Sequence, residues 1–140
     1  MANRELTLKE KYFPSKEEEV IRKLKSYEES DIQIACVEWF RLQYPKLQKL
    51  LFAVPNGSKR TGRQGKRLKD EGMVAGVADL ILLYGNYGYG SLCIEMKKGK
   101  VGRQSEAQKE WQKVAQGYGN KYVVVRTFDE FMKVINEYLK

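Results

Sequence analysis

Residues 78–83 (ADLILL) and residues 92–96 (LCIEM) are two short apolar runs, and Lys97 directly follows the second. Both have the length of a β-strand, and the segment between them, residues 84–90 (YGNYGYG), is rich in turn residues. We therefore predict a β-hairpin. Each of its strands carries one acid, Asp79 in the first and Glu95 in the second, in an otherwise apolar setting.

Side chains alternate along a strand, so Glu95 and Lys97 project from one face and Met96 from the other. If Asp79 faces the same way as Glu95, two carboxylates and an ammonium converge. A buried charge costs several kcal/mol unless it is paired or bound to a metal. A hard divalent cation such as Mg²⁺ resolves that cost, because it binds carboxylate and carbonyl oxygens and shares substrate phosphates.

This arrangement predicts metal-assisted hydrolysis of a phosphodiester. Lys97 would orient or deprotonate the attacking water, or stabilise the charge that develops on phosphorus. The alternative is structural: Glu95 and Lys97 form an ion pair and Asp79 caps a strand end. Glu95 and Lys97 form the only acid-x-Lys sequence in the chain, which favours the catalytic interpretation.

The composition limits the classes of function. The 140 residues, 42% of them apolar, predict one globular domain, and a net charge of +8 favours polyanionic partners. Histidine is absent, which excludes Ser-His-Asp and Cys-His hydrolysis. Cys36 and Cys93 lie in apolar runs and are predicted to be buried thiols. We find no membrane-spanning run or signal peptide and expect a reducing cytoplasm.

Two basic segments flank the acids in sequence. Residues 56–72 carry six Lys or Arg against two acids, and residues 97–103 carry four with no acid. They are either solvated loops or, as we prefer, surfaces that follow a phosphate backbone. The predicted DNA-binding residues are Asn56, Lys59, Arg60, Arg63, Lys66, Arg67, Lys98, Lys100 and Arg103.

The remaining pattern predicts an α/β fold in which a mixed β-sheet is flanked by helices on both faces. Capping signals and apolar periodicity place helices and further strands on either side of the hairpin. Helices are predicted over residues 15–26, 30–44, 105–116 and from 128 onward, and strands over residues 50–54 and 121–125.

Two positions have two interpretations each. Gln108 lies on the inward face of its predicted helix, where its amide bonds either to backbone or to a group in the acidic site. Gly76 precedes the Asp79 strand and is either a simple turn glycine or a place where a side chain would obstruct a close approach.

Taken together, several short motifs resemble the VRR-NUC family, the virus-type replication and repair nuclease branch of the PD-(D/E)XK superfamily. These motifs are residues 55–57 (PNG), 72–80 (GMVAGVADL), 94–97 (IEMK) and 102–105 (GRQS) with Gln108. The resemblance covers the chain from about Glu29 to its end. It implies a restriction-endonuclease-like core and cleavage of DNA that depends on Mg²⁺ or Mn²⁺.

The resemblance also implies roles for individual residues. Asp79, Glu95 and the Met96 carbonyl would bind the metal, Lys97 would be the catalytic lysine, and Gln108 matches the family's glutamine on the following helix. An acid at the start of the first core helix completes the set, and Glu29 is the best match, with Glu28 adjacent to it. The predicted nuclease domain is residues 28–140, preceded by an arm and short helix in residues 1–27.

Relatives of similar length look like homodimers that act on branched DNA, similar to four-way-junction resolvases. The resemblance therefore implies a structure-selective DNA endonuclease in the cytoplasm of a bacterial or phage-infected cell. A different class of function is a basic module that binds DNA or recruits a partner without cutting. A ribonuclease shares the chemistry, and nothing in the sequence reads the 2′-hydroxyl.

Overall fold

The computed structural model describes residues 29–55 and 62–140, with Glu29 described by its backbone alone. The helix predicted within residues 15–26 lies outside these residues, as do Asn56, Lys59 and Arg60 of the predicted DNA-binding set. The proposed division between residues 1–27 and 28–140 therefore stays a prediction.

Within the described residues, the chain forms a four-stranded sheet with helices. The helices are α1 (Glu29–Gln43), α2 (Gly62–Asp70), α3 (Glu106–Gly117) and α4 (Phe128–Tyr138), and a 3₁₀ helix covers Pro45–Leu50. The strands are β1 (Leu51–Ala53), β2 (Leu80–Leu82), β3 (Leu92–Met96) and β4 (Lys121–Val125). None of the described helices has the length and apolar character needed to cross a bilayer.

The sheet has the order β1-β2-β3-β4, with antiparallel pairing among the first three strands and parallel pairing between β3 and β4. The predicted hairpin is β2–β3. The segment that connects its strands contains an isolated antiparallel bridge between Asn86 and Tyr89. Parallel neighbours need a crossover, and α3 provides it between β3 and β4. The mixed sheet predicted from the sequence is thus confirmed.

The two faces of the sheet carry different cores. Leu92, Ile94 and Met96 of β3 point into the larger cluster, which includes Phe40 of α1 and Phe131 of α4. The opposite face holds a smaller cluster of Ala78, Cys93 and Tyr122, with Trp111 of α3 packed against it. Helices therefore cover both faces, as predicted, and α3 lies on the face to which Glu95 belongs by alternation.

The first strand of the hairpin is shorter than the predicted residues 78–83, so placing Asp79 inside it was wrong. β2 begins at Leu80, and Asp79 immediately precedes it. The Asp79 carbonyl still accepts a hydrogen bond from the Val54 N–H at 2.9 Å. The described pairing of the two strands ends there, which leaves the Asp79 side chain at the end of the sheet.

Both cysteines are buried and unpaired, as predicted. Cys36 is fully buried in the larger cluster, and this burial raises the pKa of its thiol to about 11. Burial also raises the pKa of Cys93. Neither thiol therefore has the thiolate character that a nucleophile or metal ligand needs.

Gly76 satisfies both interpretations of its role. Its φ of +82° lies in the left-handed region, and a Cβ there would be 2.3 Å from the Ala107 carbonyl oxygen and 2.8 Å from the Gln108 nitrogen. The turn before Asp79 therefore packs directly on the first turn of α3. This contact fixes the start of the helix that carries Gln108 relative to Asp79.

We predict that Gly76→Ala lowers the free energy of unfolding by about 3 kcal/mol or more, since a positive φ costs about 1–2 kcal/mol and overpacking about 1–3 kcal/mol. The matched control is Gly119→Ala, where φ is +88° but no atom lies within 4 Å of the new Cβ. That variant should lose the conformational part alone. Urea denaturation of both variants measures the difference, and equal losses would contradict a steric role for Gly76.

Candidate metal and nucleic-acid site

Asp79 is anchored between two strands. Its carbonyl accepts from Val54, and its side-chain Oδ2 accepts from the Met96 N–H at 2.7 Å. The side chain therefore reaches across from the start of β2 to the end of β3. This places its carboxylate beside that of Glu95, close enough to raise the pKa of Glu95.

Glu95 is a carboxylate buried in the middle of the molecule. It belongs to β3, all five residues of which are buried, and only 1% of its surface is exposed. Its Oε1 accepts from Gln108 Nε2 at 2.8 Å and lies 3.7 Å from Lys97 Nζ, while its Oε2 accepts from the Tyr122 hydroxyl at 3.1 Å. Both oxygens are thus held by side chains from three different segments.

Gln108 does both things that its sequence position allowed. Its Oε1 accepts from the Ser105 N–H and from Lys97 Nζ, each at 2.9 Å, while its Nε2 donates to Glu95. The Ser105 side chain in turn accepts from the Gln108 N–H, which completes a capping box at the start of α3. The helix cap and the site therefore share one amide, so the orientation of α3 sets the position of Lys97.

The predicted convergence of Asp79, Glu95, Lys97 and Gln108 is present. Burial, and then the adjacent Asp79 carboxylate, raise the pKa of Glu95 to about 8 from its ordinary 4.5. Lys97 and the Tyr122 hydroxyl act in the opposite direction and offset this only in part. With both carboxylates ionised, the site places two negative charges beside the one positive charge of Lys97.

The donors suit a hard divalent cation. Asp79 and Glu95 supply carboxylate oxygens, and β3 brings the Met96 backbone next to both. Mg²⁺ is commonly held by one or two carboxylates together with waters and substrate phosphates. Among the described side chains, no group of three or more His, Cys, Asp or Glu could hold a metal ion. Glu29 begins α1, and its role, like the choice between it and Glu28, stays a prediction.

One set of residues near the site was missed in the sequence. The Tyr122 hydroxyl accepts from Gln104 Nε2 at 3.0 Å, and the same nitrogen donates to Gln112 Oε1 at 2.9 Å. Tyr122 lies in the run KYVVV, which is typical of a core strand. Its parallel pairing with Cys93 puts it on the Glu95 face. That pairing depends on strand order, for which the sequence had no direct signal.

The described cations of the predicted DNA-binding set occupy two exposed segments. Arg63, Lys66 and Arg67 lie on α2, where Arg67 also forms an exposed ion pair with Glu71 at 3.0 Å. Lys98, Lys100 and Arg103 are exposed in the segment that directly follows Lys97. This second segment is tied to the sheet, since Arg126 Nη1 donates to the Gly99 carbonyl at 2.6 Å.

Comparison with known proteins identifies the fold. No protein-family model matches the chain, and no curated protein matches it. A solved structure, described as a VRR_NUC domain protein, superposes with a TM-score of 0.70 at 27% sequence identity. The likeness covers 79% of this chain and 87% of that one. Together with the mixed sheet and its flanking helices, this likeness shows that the chain has the VRR-NUC fold.

Proposed function

We propose that this protein is a divalent-metal-dependent nuclease that hydrolyses phosphodiester bonds in DNA. The observation that carries the proposal is the convergence of Asp79, Lys97 and Gln108 on the buried carboxylate of Glu95. The likeness to a VRR_NUC domain protein suggests a nuclease-type function, and DNA binding follows from it. The exposed cations described above supply the electrostatic attraction that a DNA backbone requires.

Asp79, Glu95 and the Met96 carbonyl would hold the cation. When bound, Mg²⁺ or Mn²⁺ would neutralise phosphate charge and lower the pKa of a water molecule, which are the tasks of a metal in phosphodiester hydrolysis. Lys97 orients or deprotonates the attacking water, or neutralises charge that develops on phosphorus. Gln108 keeps Lys97 beside Glu95, because its carbonyl oxygen accepts from Lys97 while its amino group donates to Glu95.

The finer parts of the proposal come from the sequence motifs. We propose an endonuclease that prefers branched DNA and acts as a homodimer. Two sites related by a two-fold axis are suited to symmetric cuts on two strands, as a four-way junction requires.

We expect Lys97→Ala to lose cleavage activity. Removing the ammonium should reduce the cleavage rate by at least about 100-fold, since a positioned acid or base contributes about 10²–10⁴-fold, while DNA binding is retained. The assay uses labelled single-stranded, linear duplex, flap, splayed-arm and four-way-junction DNA with Mg²⁺, Mn²⁺ or EDTA. Lys133→Ala, an exposed lysine on α4, is the control with the same change in charge.

The outcomes of this assay distinguish a deoxyribonuclease from a ribonuclease and from a DNA-binding module that does not cut. Cutting that needs a metal and Lys97 supports the nuclease, and the preferred substrate identifies the branch geometry. RNA versions of the same substrates separate a deoxyribonuclease from a ribonuclease. Tight binding without cutting by the wild type, in either metal, would contradict the proposal and favour a DNA-binding module.

We expect the free energy of unfolding to depend on pH through Glu95. A carboxyl whose pKa is raised on folding favours the folded state most below its unfolded value, here about 4.5, and loses that contribution as pH rises through its folded value of about 8. In EDTA, wild-type stability should therefore fall relative to Glu95→Gln between pH 5 and 9. Urea denaturation at each pH measures the difference.

Glu137→Gln, an exposed glutamate on α4, is the control for this series. Its free energy of unfolding should stay parallel to that of the wild type across the same pH range. A wild-type curve parallel to that of Glu95→Gln would show that burial and Asp79 do not raise the pKa of Glu95.

We expect the basic helix α2 to contact DNA phosphates. Arg63→Ala combined with Lys66→Ala should weaken DNA binding about equally for all sequences, since phosphate contacts carry no base information. If both contact phosphates, the slope of log K against log salt should fall by about 2, at about 0.9 per phosphate on duplex DNA. Fluorescence anisotropy in EDTA measures both. An unchanged slope would place the DNA elsewhere.

A further inference from the structure

The hydrogen bonds around Tyr122 have a fixed direction. A side-chain amide nitrogen carries two hydrogens, and Gln104 Nε2 uses them on two acceptors, Gln112 Oε1 at 2.9 Å and the Tyr122 hydroxyl oxygen at 3.0 Å. The Tyr122 oxygen is therefore an acceptor from Gln104. Its own hydrogen is left to donate to Glu95 Oε2, 3.1 Å away.

This network is partly buried. Tyr122 is only 7% exposed, and Gln104 and Gln112 are half-buried. The three residues come from the segment before α3, from α3 itself and from β4, yet their hydrogen bonds lead to one oxygen of Glu95.

The two oxygens of Glu95 are thus held differently. Gln108 donates to Oε1, near which Lys97 also lies, and Tyr122 donates to Oε2. A carboxylate that is held at one oxygen alone can rotate about its last torsion, which is broad for glutamate. The second hydrogen bond removes that freedom. Residues that orient a metal ligand in this way typically affect metal affinity about 10–100-fold.

We propose that Tyr122, oriented by Gln104, is a positioning residue that holds Glu95 Oε2 and so presents the carboxylate to a divalent cation in one orientation. The inference rests on the proposed function, because it assigns to Glu95 the role of a metal ligand. Tyr122 acts through Glu95 and need not touch the cation or DNA.

Tyr122→Phe tests this assignment. The variant removes one oxygen atom and keeps the ring that packs against Trp111, with ring centroids 6.2 Å apart. Mn²⁺ is titrated into the DNA-free protein, and unbound Mn²⁺ is followed by electron paramagnetic resonance. We expect Mn²⁺ to bind Tyr122→Phe about 10–100-fold more weakly than the wild type.

The chain offers a matched control in Tyr138→Phe. Tyr138 is also buried, its hydroxyl donates to the Tyr84 carbonyl, and it belongs to the larger cluster on the opposite face of the sheet. This variant loses a buried tyrosine hydroxyl whose hydrogen bond is to Tyr84 and not to Glu95. Its Mn²⁺ affinity should stay within about threefold of the wild-type value, whatever its loss of stability in urea.

A double-mutant cycle tests the part played by Gln104. If Gln104 acts by orienting the Tyr122 hydroxyl, Gln104→Ala should weaken Mn²⁺ binding in the wild type and have little effect in Tyr122→Phe. Independent, additive losses would overturn the orienting role.

Failure of this inference differs from failure of the proposed function. Wild-type affinity in Tyr122→Phe, or an equal loss in Tyr138→Phe, would overturn the positioning role while leaving the nuclease proposal intact. If the wild type bound no Mn²⁺, or if Glu95→Gln bound it equally well, Glu95 would not be a ligand and both proposals would fail. Mn²⁺ binding that depends on Tyr122 in a protein that cuts no nucleic acid would support the positioning role alone.

Discussion

The Glu95 carboxylate is the constraint on which the rest of this structure depends. It lies in a strand whose five residues are all buried, where an isolated charge costs several kcal/mol. The fold supplies partners to both of its oxygens from α3, from β4 and from Lys97, which directly follows its own strand. The Asp79 carboxylate nevertheless lies beside it, and the net effect on Glu95 is a raised pKa. Two carboxylates therefore lie together at a place where burial would favour apolar side chains.

One strand serves the core and the site at once. The alternation of β3 sends Leu92, Ile94 and Met96 into the larger cluster, while Cys93 and Glu95 face α3. Packing by α1 and α4 therefore fixes the strand from the face opposite Glu95. The crossover helix α3 covers the other face and contributes Gln108, whose amide joins the helix cap to Lys97 and Glu95. The positions of Gln108 and Lys97 relative to Glu95 therefore follow from the packing of that one helix.

The sequence predicted which side chains converge where the chemistry and the periodicity agree. Glu95 and Lys97 are two residues apart at the end of β3, so their common face follows from local geometry alone, and Asp79, just before β2, completes the group. The sequence did not predict contacts that depend on the order of the strands. Tyr122 resembles an ordinary core residue, because its position beside Cys93 follows from a parallel pairing between strands that are separated by a helix. β2 begins at Leu80 and not at the predicted residue 78, because an apolar run does not fix where the pairing of two strands stops.

The most direct measurement of the central claim is anomalous diffraction from crystals grown with Mn²⁺. The account predicts a Mn²⁺ peak within coordination distance of both the Asp79 and Glu95 carboxylates, and its loss in Glu95→Gln crystals. A wild-type structure at saturating Mn²⁺ with no peak between these two side chains, or with the ion bound elsewhere and unaffected by Glu95→Gln, would contradict it.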